Sequence, residues 1–279
     1  MILELTPRCN YNCPYCYCLW HEFPELAHPP LDGEGWKRVI DKCVQDGVAE
    51  VLFTGGEALL RKDLFEIVSY ARKVLPKARL TLFTNGSRLT EAMMRWFKRR
   101  KIYLAVSLQG LGTYAEMTGT RRKPNGILRR IARAAELKWP MIVSVGATRV
   151  NRHEIADVYA AAVLSGASQV QIGPMIAGGR GKKHLDMMLS RREWENLKFE
   201  IRALPDTGVS VQFVDEFICT CRPQPVRLLK RWANSEQHSC SAGKSFGVVG
   251  PNGAYRICLH AISKMDDKVI EKRVIRCET

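Results

Sequence analysis

Three cysteines near the start of the chain carry the most specific chemistry in it. Cys9, Cys13 and Cys16 sit in the stretch Arg8-Cys9-Asn10-Tyr11-Asn12-Cys13-Pro14-Tyr15-Cys16. Thiolates are soft ligands that suit iron–sulfur clusters, and closely spaced cysteines on one loop can wrap a single cluster. A four-iron cluster wants four ligands, so three cysteines leave one iron open. An open iron can hold and activate a small molecule. Zinc is the other metal for such a group; it needs a fourth ligand, and Cys18 and His21 are the nearest candidates. A disulfide framework does not suit a long chain without a secretory signal.

A second group of cysteines crowds the C-terminal quarter: Cys219, Cys221, Cys240, Cys258 and Cys277. Of the ten cysteines only Cys18 and Cys43 fall outside the two groups. This distribution suggests two metal sites. Residues 246–249 and 255–257 flank a Pro251-Asn252-Gly253 turn and read as a β-hairpin. Such a hairpin brings Cys240 and Cys258 close enough to share a metal, zinc included.

Other candidates lie where predicted strands end. Gly55, Gly56 and Glu57 follow a strand over 50–54. The glycines let backbone groups approach a ligand, and Glu57 can meet an ammonium. Ser107 and Gln109 follow a strand over 103–107, and Ser144 and Thr148 lie near the end of one over 141–145. Arg149 or Arg180 could hold a carboxylate by a bidentate contact. Residues 177–181, rich in glycine, read as a close-approach loop beside a ligand.

The elements that must position these residues follow from periodicity. Short apolar strands over 2–5, 50–54, 79–83, 103–107, 141–145 and 169–172 alternate with helices over 35–47, 63–75, 90–100, 126–137 and 155–165. This alternation predicts parallel β/α units, with a site at the strands' C-terminal ends. A further helix over 190–204 and a strand over 208–214 follow. The expected fold class is α/β: a partial six-unit TIM-like barrel with a small cysteine-rich C-terminal subdomain. The expected division is 1–189 for the barrel, 190–214 for a bridging helix and strand, and 215–279 for the subdomain.

Composition bounds the rest. At 46% hydrophobic the chain is globular. It has no apolar run long enough to span a bilayer and no signal at its N-terminus, which predicts a cytoplasmic protein without a membrane partner. The net charge of +15 is scattered. Neither a zinc finger nor a basic stripe interleaved with aromatics is present, so nucleic acid is not an expected partner. The basic surface suits solvated helix faces or the docking of an acidic electron donor.

The spacing at Cys9, Cys13 and Cys16 resembles the cluster motif of radical S-adenosylmethionine (radical SAM) enzymes. Residues 1–180 are similar to that family's six-unit partial barrel. In the family, S-adenosylmethionine chelates the open iron of a [4Fe-4S] cluster, one electron splits its sulfonium bond, and the 5′-deoxyadenosyl radical takes a hydrogen from the substrate. The resemblance implies that Tyr15 packs near the adenine. Gly55, Gly56 and Glu57 resemble the motif that grips the amino group, with Ala58 where the family usually has proline. It also implies that Ser107 contacts S-adenosylmethionine, with Gln109 where the family commonly has an acid. Thr84-Asn85-Gly86 resembles a family turn that supports the fold.

The pair Cys240 and Cys258, with Gly253 between them, is similar to the start of the SPASM extension. The longer cysteine array that normally follows is missing, which matches the half-sized "twitch" form. That resemblance implies an auxiliary iron–sulfur cluster on Cys240, Cys258, Cys277 and one of Cys219 or Cys221. The spare thiol of the last pair could donate a hydrogen atom as a catalytic group. Relatives with this extension mostly modify ribosomally made peptides by crosslinking, epimerisation or decarboxylation, which is the expected activity. Oxidation or decarboxylation of a small-molecule or tetrapyrrole-type cofactor precursor is the alternative. A non-catalytic iron–sulfur electron carrier or structural zinc protein is the alternative of another class. Flavodoxin or ferredoxin is the expected electron donor. No peptide-recognition domain precedes the expected barrel, so a peptide would be recognised by the barrel or through a partner protein.

Overall fold

Aliphatic runs too short for helices pair side by side, and the amphipathic segments between them cover one face. The computed structural model describes residues 1–214, 246–256 and 258–259. Seven strands are parallel neighbours in chain order: β1 (Ile2–Glu4), β2 (Glu50–Thr54), β3 (Arg79–Thr84), β4 (Ile102–Ser107), β5 (Met141–Ala147), β6 (Gln169–Pro174) and β7 (Ser210–Phe213). The connections carry α1 (Gly33–Gln45), α2 (Leu64–Val74), α3 (Glu91–Arg99), α4 (Tyr114–Thr118), α5 (Asn125–Glu136), α6 (Ile155–Leu164) and α7 (Arg191–Arg202). Sequence supplies the helix starts. Asp32 accepts the Gly35 N–H at 2.7 Å ahead of α1, and Ser190 and Glu193 form a reciprocal capping box on α7. The sheet is open, as a partial barrel requires, with β7 at one end.

Register sorts the two faces. Leu3, Phe53, Leu82, Leu104 and Met141 lie on one row across five strands, and each is at most 1% exposed. Burying each such side chain contributes about 1.5–3 kcal/mol as an upper bound. Three positions further along the strands, a row on the opposite face runs Ser107, Ser144 and Gln171. Along β5, buried Met141, Val143, Val145 and Ala147 alternate with half-buried Ile142, Ser144 and Gly146. One face is therefore the core under the helices and the other is the lining of a cavity.

The predicted hairpin forms, from β8 (Val248–Val249) and antiparallel β9 (Tyr255–Arg256). It extends the main sheet: β8 runs parallel to β1, with Leu3 opposite Val249, and the Ile2 N–H donates to the Gly247 carbonyl at 2.8 Å. Arg256 crosses to β1 and pairs with Glu4, both nearly inaccessible to water. Burial pushes the Glu4 carboxyl up to about 7 against the pull of Arg256. The seventh strand likewise continues the sheet beyond β6, so the segment expected to bridge carries one more β/α unit. Among the described residues no helix is long and apolar enough to cross a membrane.

Candidate active site

The loop that follows β1 carries Cys9, Cys13 and Cys16 and is held mainly through its backbone. The Gly56 N–H donates to the Thr6 carbonyl at 2.7 Å and the Glu57 N–H to the Arg8 carbonyl at 2.8 Å. Farther along, the Asn12 N–H donates to the Thr118 carbonyl at 3.1 Å and the Gly181 N–H to the Cys16 carbonyl at 3.3 Å. These close approaches explain two glycines. A Cβ on Gly56 would run into the Arg8 carbonyl, and Gly179, at φ +56°, would drive one into the carbonyls of Cys16 and Cys18. The glycine-rich segment over 177–181 is thus a close-approach loop, and what it approaches is the cysteine loop itself.

The three thiols face a cavity of about 390 Å³ on the concave side of the sheet. Tyr15, Gly55, Gly56, Ser107, Ser144 and Arg180, all expected at a cofactor site, line the same cavity. Ser107 and Ser144 are register partners on β4 and β5. The Tyr15 ring lies over the Gly146 backbone, where an added Cβ would meet it at 3.1 Å. The Arg180 guanidinium donates to the Asn12 side chain of the cysteine loop, and its Nε is buried with no acceptor. A guanidinium with one buried N–H left without an acceptor, in the wall of a cavity, suits an anionic group such as a carboxylate.

Glu57 is placed differently from expectation. It is 1% exposed and does not line the cavity. Its Oε1 accepts from Thr84 Oγ1 at 2.7 Å and the Leu59 N–H at 3.0 Å, and its Oε2 accepts from the Asn85 N–H at 2.7 Å. Burial pushes this carboxyl up, against three donors that favour the anion. Glu57 ties the end of β2 to the end of β3, with three hydrogen bonds accepted by its carboxylate. Thr148 and Arg149 also turn away. Thr148 is fully buried and bonded to Asn151, and Arg149 makes a bidentate pair with Glu193 on α7 at 3.0 Å for each contact.

Four further polar residues shape the rim: Asn85 and Gln109, which the sequence singled out, and Asn151 and Glu154, which it did not. Asn85 lines the cavity and points its Nδ2 at Cys9 Sγ, 3.9 Å away; its turn motif was the available signal. Gln109 is buried and accepts the Gly146 N–H at 2.6 Å, linking the ends of β4 and β5. Asn151 donates to the carbonyls of Gln109 and Gly146 at 2.8 Å each. Glu154 collects the N–H groups of Leu111, Gly112 and Thr113 and the Thr113 hydroxyl. Burial alone would raise its carboxyl, yet those donors outweigh it and hold it below its ordinary value.

The donor set fits a cluster. Among the described residues no three His, Cys, Asp or Glu side chains form a group that could hold a metal ion, Cys9, Cys13 and Cys16 included. Cubane ligands each take a different iron, so they need not converge on one point as zinc ligands do. As free thiols Cys9 and Cys13 are shifted upward by burial, Cys13 to about 12. Cys16 is shifted downward, chiefly by the hydrogen bond from Cys18. Loading a metal therefore displaces protons from the first two. Cys18 is buried, with its thiol 3.8 Å from the Gly55 carbonyl. Of the C-terminal cysteines, Cys258 is buried and its neighbour Leu259 lines the cavity. Cys219, Cys221, Cys240 and Cys277 lie outside the described residues.

Parallel β/α units with a three-cysteine loop after the first strand, open to a cavity at the strand ends, define a barrel enzyme built around a cofactor. Residues 3–162 match the family described as the Radical SAM superfamily, and the chain belongs to it. The superfamily's [4Fe-4S] cluster and S-adenosylmethionine come with that membership. The chain is 29% identical over 276 residues to PqqA peptide cyclase of Gluconobacter oxydans (strain 621H), an alignment covering 96% of this chain and 71% of that one. It is 28% identical over 191 residues to the sporulation killing factor maturation protein SkfB of Bacillus subtilis (strain 168), covering 66% of this chain and 45% of the other. Streptococcus suis SuiB, in a crystal structure with its precursor peptide SuiA, shares the fold at TM-score 0.71 and 16% identity, over 93% of this chain and 59% of SuiB. The chain thus spans between 45% and 71% of the length of these relatives.

Proposed function

We propose that this chain is a peptide-modifying radical SAM enzyme, with Cys9, Cys13 and Cys16 holding the catalytic cluster. The observation that carries this reading is one cavity lined by those three thiols, by paired serines at the strand ends and by an arginine whose Nε has no acceptor. When bound, the cluster and S-adenosylmethionine supply one-electron cleavage of a carbon–sulfur bond and the radical that takes a substrate hydrogen. The chain supplies position and seclusion. Arg180 receives the carboxylate of S-adenosylmethionine, Tyr15 packs against the adenine, Ser107 and Ser144 offer hydroxyls, and Gly55 and Gly56 let the β2 end approach the ligand. Glu57 acts through Thr84 and Asn85 as a positioning residue.

The substrate reading is supported by relatives whose names specify peptide cyclisation or peptide maturation. We extend it to the C-terminal cysteines: Cys240, Cys258, Cys277 and one of Cys219 or Cys221 hold an auxiliary iron–sulfur cluster, and the other thiol of that pair serves as a hydrogen donor. The β8–β9 hairpin supports this reading, because β8 extends the sheet from β1 and Leu259, next to Cys258 in the chain, lines the cavity. The division at 189 and 214 into barrel, connecting unit and auxiliary subdomain belongs to the same reading, as does a cytoplasmic setting. The test is anaerobic incubation of the reconstituted protein with S-adenosylmethionine, reductant and short peptides encoded beside its gene. Formation of 5′-deoxyadenosine together with a mass change in one peptide is expected. Formation of 5′-deoxyadenosine with turnover of a small cofactor precursor and no peptide overturns the substrate assignment.

A further inference from the structure

A second cavity, of about 370 Å³, is bordered by Tyr11 of the cysteine loop and by the start of α5. Its walls are cationic. Arg122, Lys123, Arg129 and Arg130 line it, together with Tyr11 and Tyr114. Arg130 has a structural task, donating to the carbonyls of Leu89, Gly126 and Ser87 at 2.8, 2.6 and 3.3 Å. Arg122, Lys123 and Arg129 are exposed, and none of them enters an ion pair among the described residues. Arg133, one turn further along α5, differs: it pairs with Glu91 and Glu136. The start of α5 has neither a side-chain cap nor an acidic residue in its first turn, so its positive dipole end adds to the same field.

Tyr11 lines both cavities. Its backbone N–H points at Cys9 Sγ, 3.4 Å away, and its hydroxyl meets that of Tyr114 at 3.1 Å. One tyrosine therefore separates an unneutralised basic hollow from the thiols of the proposed cluster. We propose that this hollow is the docking face of an acidic, low-potential one-electron carrier protein. The proposal rests on the reading that Cys9, Cys13 and Cys16 hold the electron-accepting cluster. One electron leaves the carrier, which is oxidised by one, and enters the thiolate-held cluster, which is reduced by one; no atom or proton is exchanged. Three free cations attract an acidic surface, speed its encounter and fix its orientation, and the short path through Tyr11 favours transfer. A carrier seated here leaves the substrate cavity, on the other side of Tyr11, open.

The test compares the reconstituted wild type with an Arg122→Glu/Lys123→Glu/Arg129→Glu variant, using flavodoxin as the probe. Flavodoxin affinity, read by titration calorimetry at low ionic strength, is expected to weaken on the order of tenfold or more in the variant. The wild-type affinity is expected to fall as salt is added. Cleavage of S-adenosylmethionine driven by reduced flavodoxin is expected to slow to a similar extent, while cleavage driven by dithionite is unchanged. An Arg122→Lys/Arg129→Lys variant is expected to keep binding. Equal flavodoxin affinity in wild type and triple variant overturns the proposal. So does an equal loss with dithionite, which would mean that the substitutions disturb the cysteine loop. Retained flavodoxin affinity with lost affinity for an acidic peptide reassigns the hollow to substrate and also overturns it. No 5′-deoxyadenosine from wild type with dithionite is instead a failure of the cluster reading, and the calorimetry still reports on the surface.

Discussion

The two halves of the cavity rim are built in different ways. Over β1–β3 the cysteine loop is clipped by backbone bonds, Gly56 to Thr6 and Glu57 to Arg8, at distances that exclude a Cβ on Gly56. Over β4–β6 the strand ends are tied by side chains: Gln109 and Asn151 to Gly146, and Glu154 to the loop over 111–113. A backbone clip tolerates few residue types and so leaves a fixed sequence pattern. A side-chain network can be rebuilt from other polar residues and leaves none. The cysteine loop is fixed by steric necessity, whereas the opposite half is rigid only while its polar groups stay satisfied.

Substitutions can break or sharpen that contrast. The largest expected effect falls on the buried ion pair of the cysteine half. Glu4→Ala strands Arg256 as a buried cation that cannot shed its proton, at a cost of about 3–5 kcal/mol in denaturant unfolding. Arg256→Met is expected to cost less, because Glu4 can neutralise itself by protonation. The pH dependence has a definite sign. Burial raises the folded Glu4 value from 4.5 to about 7, so its contribution is fully present below the lower value and lost as pH rises through the upper one. The Arg256→Met variant should lose stability over a higher and wider pH range than the wild type, since Arg256 no longer opposes the shift.

Gly56→Ala comes next. Its Cβ must displace the Arg8 carbonyl, and the resulting shift of the cysteine loop is expected to slow S-adenosylmethionine cleavage by about 100-fold. Glu154→Gln strands donors of the loop over 111–113 and should cost about 1.5–3 kcal/mol at neutral pH. Its folded carboxyl sits below the ordinary value, so the wild type's advantage is present above that value and fades as pH falls through the folded one. Melting scans of both proteins across the acid range would show their curves converging. Gln109→Ala, the smallest effect, removes a single neutral acceptor at a cost of about 1 kcal/mol, with a matching modest rise in KM for S-adenosylmethionine.

The same contrast explains what could be read from the sequence. Strands such as 50–54 and 79–83 announced themselves as aliphatic runs bounded by turns, and the parallel β/α order followed. Cys9, Cys13, Cys16, Gly55 and Gly56 were legible because spacing or steric need fixes them. Glu57 was legible as a motif, but its role as a brace to Thr84, Asn85 and Leu59 was not. Arg149 and Arg180 are both arginines beyond strand ends, and sequence could not separate the one paired with Glu193 from the one with an orphan Nε in the cavity wall. Asn151 and Glu154 gave no signal, because a lone polar residue after a strand has many uses. The pairing of β8 with β1 was equally hidden: hairpin periodicity specifies its two strands but not a third strand far away in the chain.

The most direct test of the central claim is anaerobic reconstitution of the wild type and a Cys9→Ala/Cys13→Ala/Cys16→Ala variant, with iron and sulfide counted and each protein reduced with S-adenosylmethionine. The account predicts that the variant loses one cluster's worth of iron and sulfide and makes no 5′-deoxyadenosine, while the wild type does. A wild type that takes up zinc in place of iron, or a variant that still makes 5′-deoxyadenosine, would contradict it.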